Sequence, residues 1–264
     1  MIGSRDLESC PVPQIRRVRI VKRADGYYVQ FGVHACREVE HVPTGKYIGI
    51  DMGLNAYSTD SEGNTIENPR YLRKAEKRLK RLHRKHSKCV KKSQNRKKAQ
   101  KKLAKAHLKV QRQREDFARK QANALIQSSD LVAYEKLSIR NMVKNHHLAK
   151  SISNAAWGVF LRWVNYYGEL YHVPVIAAAP NFTSQDCSRC GTRVKKSLSV
   201  RTHVCHACGL VMDRDHNVAR NILDKASRTV GQTGTARADD ALGNASGQKT
   251  STRVSRGTLS KSAG

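Results

Sequence analysis

Four cysteines carry the clearest chemical signal in the chain. Cys187-x2-Cys190 and Cys205-x2-Cys208 are separated by 14 residues, a spacing that lets the two pairs enclose one tetrahedral zinc ion. Gly191 and Gly209 follow the pairs directly and supply the backbone freedom that a knuckle turn needs. Two redox CxxC pairs are the competing reading, but the glycines and the basic spacer TRVKKSLSVRTHV fit a zinc ribbon better. His203 and His206 could each stand in as a ligand, yet four thiolates already complete a closed site. A closed site holds shape rather than doing chemistry, so the zinc is expected to be structural. Cys10, Cys36 and Cys89 are isolated and read as ordinary packing or surface thiols.

Reactive chemistry has to come from other residues. Asp51 closes the apolar run YIGID, Glu135 closes LVAYE, and Asp213 and Asp215 open the helical pattern DRDHNVARNI. Singly, each acid has a plain explanation as a turn residue, an edge-strand residue or a helix cap. Together they can converge on one edge of a mixed sheet, where three carboxylates would bind two hard divalent cations such as Mg²⁺. Such a pair of ions activates water and stabilises the leaving oxygen of a phosphodiester. If Asp213 caps the helix, its side chain is occupied by backbone N–H groups and Asp215 is the ligand.

The elements that must position these residues can be read from periodicity. IRRVRIVK and YYVQFGV flank Asp25-Gly26 as a hairpin, and GKYIGIDMG begins a second set of strands, with Gly63-Asn64 at a turn. From Pro69 the period becomes helical, and a break near 92–95 predicts two long antiparallel helices. DLVAYEKL is a buried-type strand. The polar stretch NMVKNHHLAKSISN is expected to be a loop, AAWGVFLRWVNYYGELYH a helix, and VPVIAAAP a strand. Beyond Ser227 the composition turns to Gly, Ser, Thr and Ala, which predicts a disordered tail.

Charge points to the partner. Lys and Arg number 50 against 21 Asp and Glu, a balance of +29, which favours contact with a polyanion. No signal segment, lipidation motif or apolar run long enough to span a bilayer is present, so nucleic acid in an intracellular setting is expected rather than a membrane. Between Arg70 and Lys120 there are 23 basic and three acidic residues. Like charges one helical turn apart destabilise a helix by about 0.2–0.5 kcal/mol per pair, so this arm is expected to lie along phosphates. Arg73, Lys77, Arg81, Arg84, Lys88, Lys91, Arg96, Lys98, Lys102, Lys105 and Lys109 are its candidate nucleic-acid contacts.

The ordered set YIGIDMG, VAYEKL, CSRCG, CHACG and DRDHNVARNI resembles the TnpB (OrfB) proteins of insertion sequences, relatives of the type V CRISPR effector nucleases. The resemblance runs from about Ile15 to Ala226. It implies an α/β fold: an RNase H-like (RuvC-like) mixed sheet with helices, interrupted by a long basic helical hairpin and a zinc ribbon. It implies a remnant wedge-type β domain over 1–44 and a nuclease core over 45–182 and 210–226. The hairpin is expected at 68–127, the ribbon at 183–209 and the tail at 227–264. It carries the three RuvC carboxylates onto Asp51, Glu135 and Asp215, and the zinc ligands onto the four paired cysteines. The family also carries an N-terminal recognition lobe ahead of this core, of which only the hairpin near 15–35 is expected here. DNA, with a guide-type RNA in full-length relatives, is the implied partner, in the cytoplasm of a prokaryotic cell. Three functions follow: a metal-dependent endonuclease, a non-cleaving nucleic-acid binder, or a transposase that joins strands with the same carboxylates.

Overall fold

A computed structural model describes residues 12–34, 39–197 and 199–233. The first eleven residues, Cys10 among them, Cys36 and everything beyond 233 lie outside the described residues. Strands β1 (Ile15–Lys22) and β2 (Tyr27–Val33) form the antiparallel hairpin around Asp25-Gly26. One face of it, with Val18, Ile20, Val29 and Phe31, is exposed. Tyr28 and Asp25 are tied to Arg112, whose guanidinium donates to the Tyr28 hydroxyl and the Asp25 carboxylate at 2.7 Å each.

The centre is a five-stranded mixed sheet made of β3 (Tyr47–Asp51), β4 (Ala56–Asp60), β5 (Thr65–Glu67), β6 (Leu131–Glu135) and β7 (Val175–Ala178). Its order is β5-β4-β3-β6-β7, with β3, β6 and β7 parallel and β4 and β5 antiparallel to their neighbours. Glu135 therefore ends an interior strand and not an edge.

Alternation along β3 and β6 sorts the two faces. Ile48, Ile50, Met52, Val132 and Tyr134 point into the larger core. There they meet α2 (Gln94–Gln127), α4 (His146–Ala155) and α5 (Trp157–Tyr171) through Ala118, Ala122, Ile126, Ile152, Phe160 and Val164. The other face carries Leu131, Ala133 and Ala178, packed on Val218, Ile222 and Ala226 of the last helix, α6 (Arg214–Thr233). Gly49, Asp51 and Glu135 belong to this second set by the same alternation. Ile222 and Ala226 are fully buried, and an isoleucine so placed contributes about 1.5–3 kcal/mol relative to exposure.

Between β5 and β6, α1 (Tyr71–Lys88) and α2 make the antiparallel basic hairpin. Helix α2 has 34 residues, so it is about 51 Å long. Ser93 caps it, its hydroxyl accepting from the Arg96 N–H at 3.1 Å. The arm begins within the expected range and ends at Gln127.

Two expectations are corrected. Residues 141–154 are not a loop: α3 (Ile139–Met142) and α4 occupy the stretch. Ile152 and Ala155 are buried and Met142 and Val143 pack on the same core, so a few apolar residues override the polar composition. The tail does not begin at 227, because α6 continues through Thr233. The Ser227 and Thr229 hydroxyls return their hydrogen bonds to the Leu223 and Lys225 carbonyls at 3.0 and 2.9 Å, which keeps these residues compatible with a helix. Among the described residues no helix is long and apolar enough to cross a membrane.

Gly49 sets how closely α6 approaches the sheet. A Cβ there would lie 2.9 Å from both the Leu223 nitrogen and the Leu223 Cβ, and closer still to the Ala219 carbonyl oxygen. Gly49→Ala should therefore cost about 1–3 kcal/mol or more, seen as a lower thermal midpoint. Gly26→Ala, where nothing lies within 4 Å, serves as the control. Equal midpoints for the two variants would show that the helix does not need this contact.

Candidate active site and zinc centre

The two acids on the sheet are placed by strand register. In the parallel β3/β6 pair Gly49 lies opposite Ala133 and Ile50 opposite Tyr134, so Asp51 and Glu135 end neighbouring strands on the α6 face. The carboxyl ends of parallel strands are where such sheets form ligand crevices. Helix α6 brings the third acid. Asp213 Oδ1 accepts from the backbone N–H groups of Asp215 and His216 at 2.8 and 3.1 Å. Asp213 is thus engaged as the cap, while Asp215 lies in the first turn beside Gly53, where a Cβ would stand 3.9 Å from Asp215 Oδ2.

The electrostatics show how closely the acids crowd. Burial first, then the neighbouring Asp215 and Glu135 charges, together raise the Asp51 carboxyl to about 7, with Arg214 opposing. Burial also raises Glu135, while a hydrogen bond from Thr183 and the charge of Lys225 pull it back. Asp215 is held by cations: Arg214 donates through Nη2 and Nε to Oδ1 at 2.9 and 3.1 Å, and Arg201 Nη1 lies 3.4 Å from Oδ2. Asp51 is the shared member of the set, the one that feels both of the others. A hard oxygen donor set under mutual repulsion is the kind that Mg²⁺ relieves.

The cysteine centre fits zinc on geometry. The four cysteine sulfurs all lie within 4.8 Å of one another. The Cys187–Cys208 and Cys190–Cys205 sulfur pairs are 3.7 and 3.5 Å apart. Tetrahedral Zn–S bonds of about 2.3 Å place their sulfurs roughly 3.8 Å from each other. Gly191 and Gly209 adopt positive φ of 74° and 72°, and their N–H groups donate to the Cys187 and Cys205 carbonyls at 2.9 and 2.8 Å. Strands β8 (Thr202–Val204) and β9 (Val211–Asp213) link the second knuckle to α6. His203 is not part of the cluster. It is fully buried, with Nδ1 2.5 Å from Lys196 Nζ.

A second set of residues, invisible to motif reading, ties the two centres together. The Thr183 hydroxyl donates to Glu135 Oε1 at 2.8 Å in a buried setting. Asn221 Nδ2 donates to the Thr183 and Asp186 carbonyls at 2.8 and 2.7 Å. Asn217 Nδ2 donates to the same Asp186 carbonyl at 2.9 Å, and its Oδ1 accepts from the Ser188 N–H, also at 2.9 Å. Cys187 lies between these two anchored residues. The only trace in the sequence is the pair Asn217 and Asn221 at i,i+4 on an otherwise apolar helix face. His216 braces the same helix from the other side, with Nε2 3.1 Å from the Ser61 carbonyl oxygen.

Of the expected phosphate contacts, Arg73, Lys77, Arg81, Arg84, Lys88, Lys91, Lys98, Lys102, Lys105 and Lys109 are exposed on or next to α1 and α2. Arg96 is half-buried and donates to the Cys89 carbonyl at 3.1 Å, which stitches the hairpin turn. Between the helices runs a groove of about 830 Å³ with Leu79, Leu82 and Val110 on its floor. Lys74 and Arg78 line it too, and charge counting alone did not single them out.

Comparison with known proteins agrees with this architecture. The OrfB_IS605 family, described as "Probable transposase", matches residues 30–146, and the "Cas12f1-like, TNB domain" family matches residues 157–222. A Streptomyces pristinaespiralis protein named "Putative RNA-guided DNA endonuclease" is 39% identical over 178 residues, 67% of this chain and 44% of that protein. "Putative RNA-guided DNA endonuclease InsQ" of Escherichia coli (strain K12) is 27% identical, over 79% of this chain and 56% of its own length. The chain thus spans about half the length of these relatives. Two Cas12f structures superpose with TM-scores of 0.52 and 0.55 at 14% and 17% identity. Each covers 78% of this chain, and they cover 55% and 44% of the Cas12f chains. The fold is the RuvC-like mixed α/β fold of these effectors.

Two measurements probe the centres separately. The folded chain keeps a proton on Asp51 up to about pH 7, whereas an unfolded aspartate releases it near 4. The folded state therefore binds more protons in that window, and this group's contribution to stability falls as pH rises from about 4 to 7. Without divalent ions, Asp51→Asn should melt higher than the parent at pH 8, with the gap closing towards pH 5. A gap that does not depend on pH would show that Asp51 is not under pressure. Zinc chelation should speed amide exchange at 183–188 together with the first turns of α6. Exchange confined to 187–209 would show the ribbon to be uncoupled from Thr183.

Proposed function

We propose that the chain is the nuclease portion of a DNA endonuclease of the TnpB (OrfB) type, RNA-guided in its full-length form, as its similarity to the OrfB_IS605 and Cas12f1-like families supports. The reaction is hydrolysis of a phosphodiester at Asp51, Glu135 and Asp215. The observation that carries this reading is the placement of Asp51 and Glu135 at adjacent strand ends, with burial and both other acids raising Asp51 to about 7. Three acids crowded together in a chain of net charge +29 repel the phosphates that the rest of the surface attracts, unless cations stand between.

Asp51, Glu135 and Asp215 would hold two Mg²⁺, whose chemistry is to activate water and to stabilise the leaving oxygen. The remaining work falls to the polypeptide. Thr183 orients the Glu135 carboxylate through its 2.8 Å hydrogen bond. Arg201 and Arg214 neutralise Asp215 and add positive charge beside the phosphate's entry. The basic faces of α1 and α2 hold the strand or its RNA partner through salt-sensitive phosphate contacts. The four cysteines hold zinc in a structural role, and the exposed β1–β2 hairpin is read as part of a wedge-type β domain.

A non-cleaving binder is the second reading, favoured by the pairing of Asp215 with two arginines. Strand transfer would use the same carboxylates with a DNA 3′ hydroxyl in place of water. The deciding assay is Mg²⁺-dependent nicking of single-stranded DNA by the parent, Asp51→Ala and Glu135→Gln. Both variants should lose on the order of a hundredfold or more in rate with little change in DNA affinity. Nicking that survives Asp51→Ala would overturn the nuclease reading, and joined products in place of cut ends would favour strand transfer.

A further inference from the structure

One exposed aromatic side chain beside the carboxylates is held there by a strained backbone. Phe182 adopts φ of 59°, the left-handed region, which is strained for a bulky residue. Glycine or asparagine would hold the same turn at less cost. The ring does not recover that cost by burial, because the residue is 49% exposed. The turn itself is well built: the Phe182 carbonyl accepts from the Gln185 and Asp186 N–H groups at 2.9 Å each. Strain held in place by its surroundings, with an exposed ring as the outcome, points to a contact made outside the chain.

The position of the ring says what that contact is. The next residue, Thr183, is buried and donates to Glu135 at 2.8 Å, and consecutive Cα atoms are about 3.8 Å apart. Phe182 therefore stands at the rim of the carboxylate site. The Arg193 guanidinium lies over the ring, 3.5 Å from its centroid, and is itself held by Asp186 Oδ1 at 3.0 Å. Lys225 is hydrogen-bonded to the carbonyl of Asn181, one residue before the ring. An exposed aromatic face set among two cations matches single-stranded nucleic acid, whose bases offer a π-face and whose phosphates meet the charge.

We propose that Phe182 and Arg193 form a stacking platform for one base of the single strand entering the site, next to the phosphate to be cut. The platform deepens the nuclease reading and rests on it for the identity of the bound strand. It accounts for the strained backbone, the exposed ring and the stacked guanidinium together. Stacking does not depend on base identity, so the platform would position a strand without selecting its sequence.

The test measures binding with cleavage removed. The full chain carrying Glu135→Gln, without divalent ions, is titrated with an oligothymidine and with an abasic oligomer having the same number of phosphates. Phe182→Asn keeps a side chain tolerant of the left-handed backbone and deletes the ring, whereas Phe182→Trp keeps an aromatic face. Phe182→Asn should weaken oligothymidine binding roughly tenfold and leave abasic binding and the salt slope unchanged. Phe182→Trp should bind as the parent does. Thermal midpoint and zinc content must match the parent for the comparison to count, and if Phe182→Asn fails that check, Phe182→Trp against Phe182→Gly takes its place. Equal oligothymidine affinity with and without the ring overturns the platform, as does an equal loss on the abasic strand. The outcome is independent of nicking: a platform that holds while Asp51→Ala still nicks would sink the carboxylate reading alone.

Discussion

Helix α6 can reach Asp51 because Gly49 has no side chain. Two residues before the acid on the same face of β3, the strand backbone meets the helix backbone at a separation that no Cβ could share. Ala133 opposite it on β6 is also small and fully buried. The close approach lets one helix deliver several groups at once. Asp215 comes to the end of β3, His216 to the turn after β4, and Asn217 and Asn221 to the segment that follows β7. A helix a few ångströms further out would keep its fold and lose all four placements. Backbone packing sets the site, and the charged residues take up positions that it makes available.

Electrostatics then explains why so many cations stand near so few acids. A buried Asp51 beside two other carboxylates is pushed to about 7, so the apo chain is under electrostatic pressure at neutral pH. Asp215 escapes that pressure through Arg214 and Arg201, and Glu135 in part through Thr183 and Lys225. Asp51 is relieved by the charge of Arg214 and by a backbone hydrogen bond from Met52, which together do not offset its burial. The acid under greatest pressure is the one on which both other carboxylates act.

Much of this was legible in the sequence, and the misses have physical causes. The cysteine cluster was readable because paired cysteines at fixed spacing, each pair followed by a glycine, fold around one point. Strand ends at Asp51 and Glu135 were readable because buried parallel strands leave short apolar runs that stop abruptly. Asp213 against Asp215 could be argued from capping, since only one of two acids at a helix start can serve its own backbone. By contrast, Thr183, Asn217 and Asn221 act through backbone carbonyls and a carboxylate far away in sequence, and such bonds leave no local pattern. Helix α4 was missed because its apolar positions are few, and tertiary burial of Ile152 and Ala155 decides it. Arg96 read as one more free charge until the hairpin turn gave it carbonyls to serve.

The order of the chain after β7 carries the remaining lesson. Residues 183–188 leave the sheet, touch Glu135 through Thr183 and enter the first zinc knuckle at Cys187. The second knuckle feeds β9, and β9 runs straight into Asp213 and α6. Asn217 and Asn221 reach back from that helix to the start of the same excursion. The ribbon is therefore a closed loop whose two ends hold two different carboxylates, Glu135 at its entry and Asp215 at its exit. Fastening such a loop by side-chain hydrogen bonds alone would leave it soft, because each contributes only about 0.5–1.5 kcal/mol net. Four thiolates on one zinc ion would fasten it far more strongly, and the placement of the two acids would then depend on the cysteine centre.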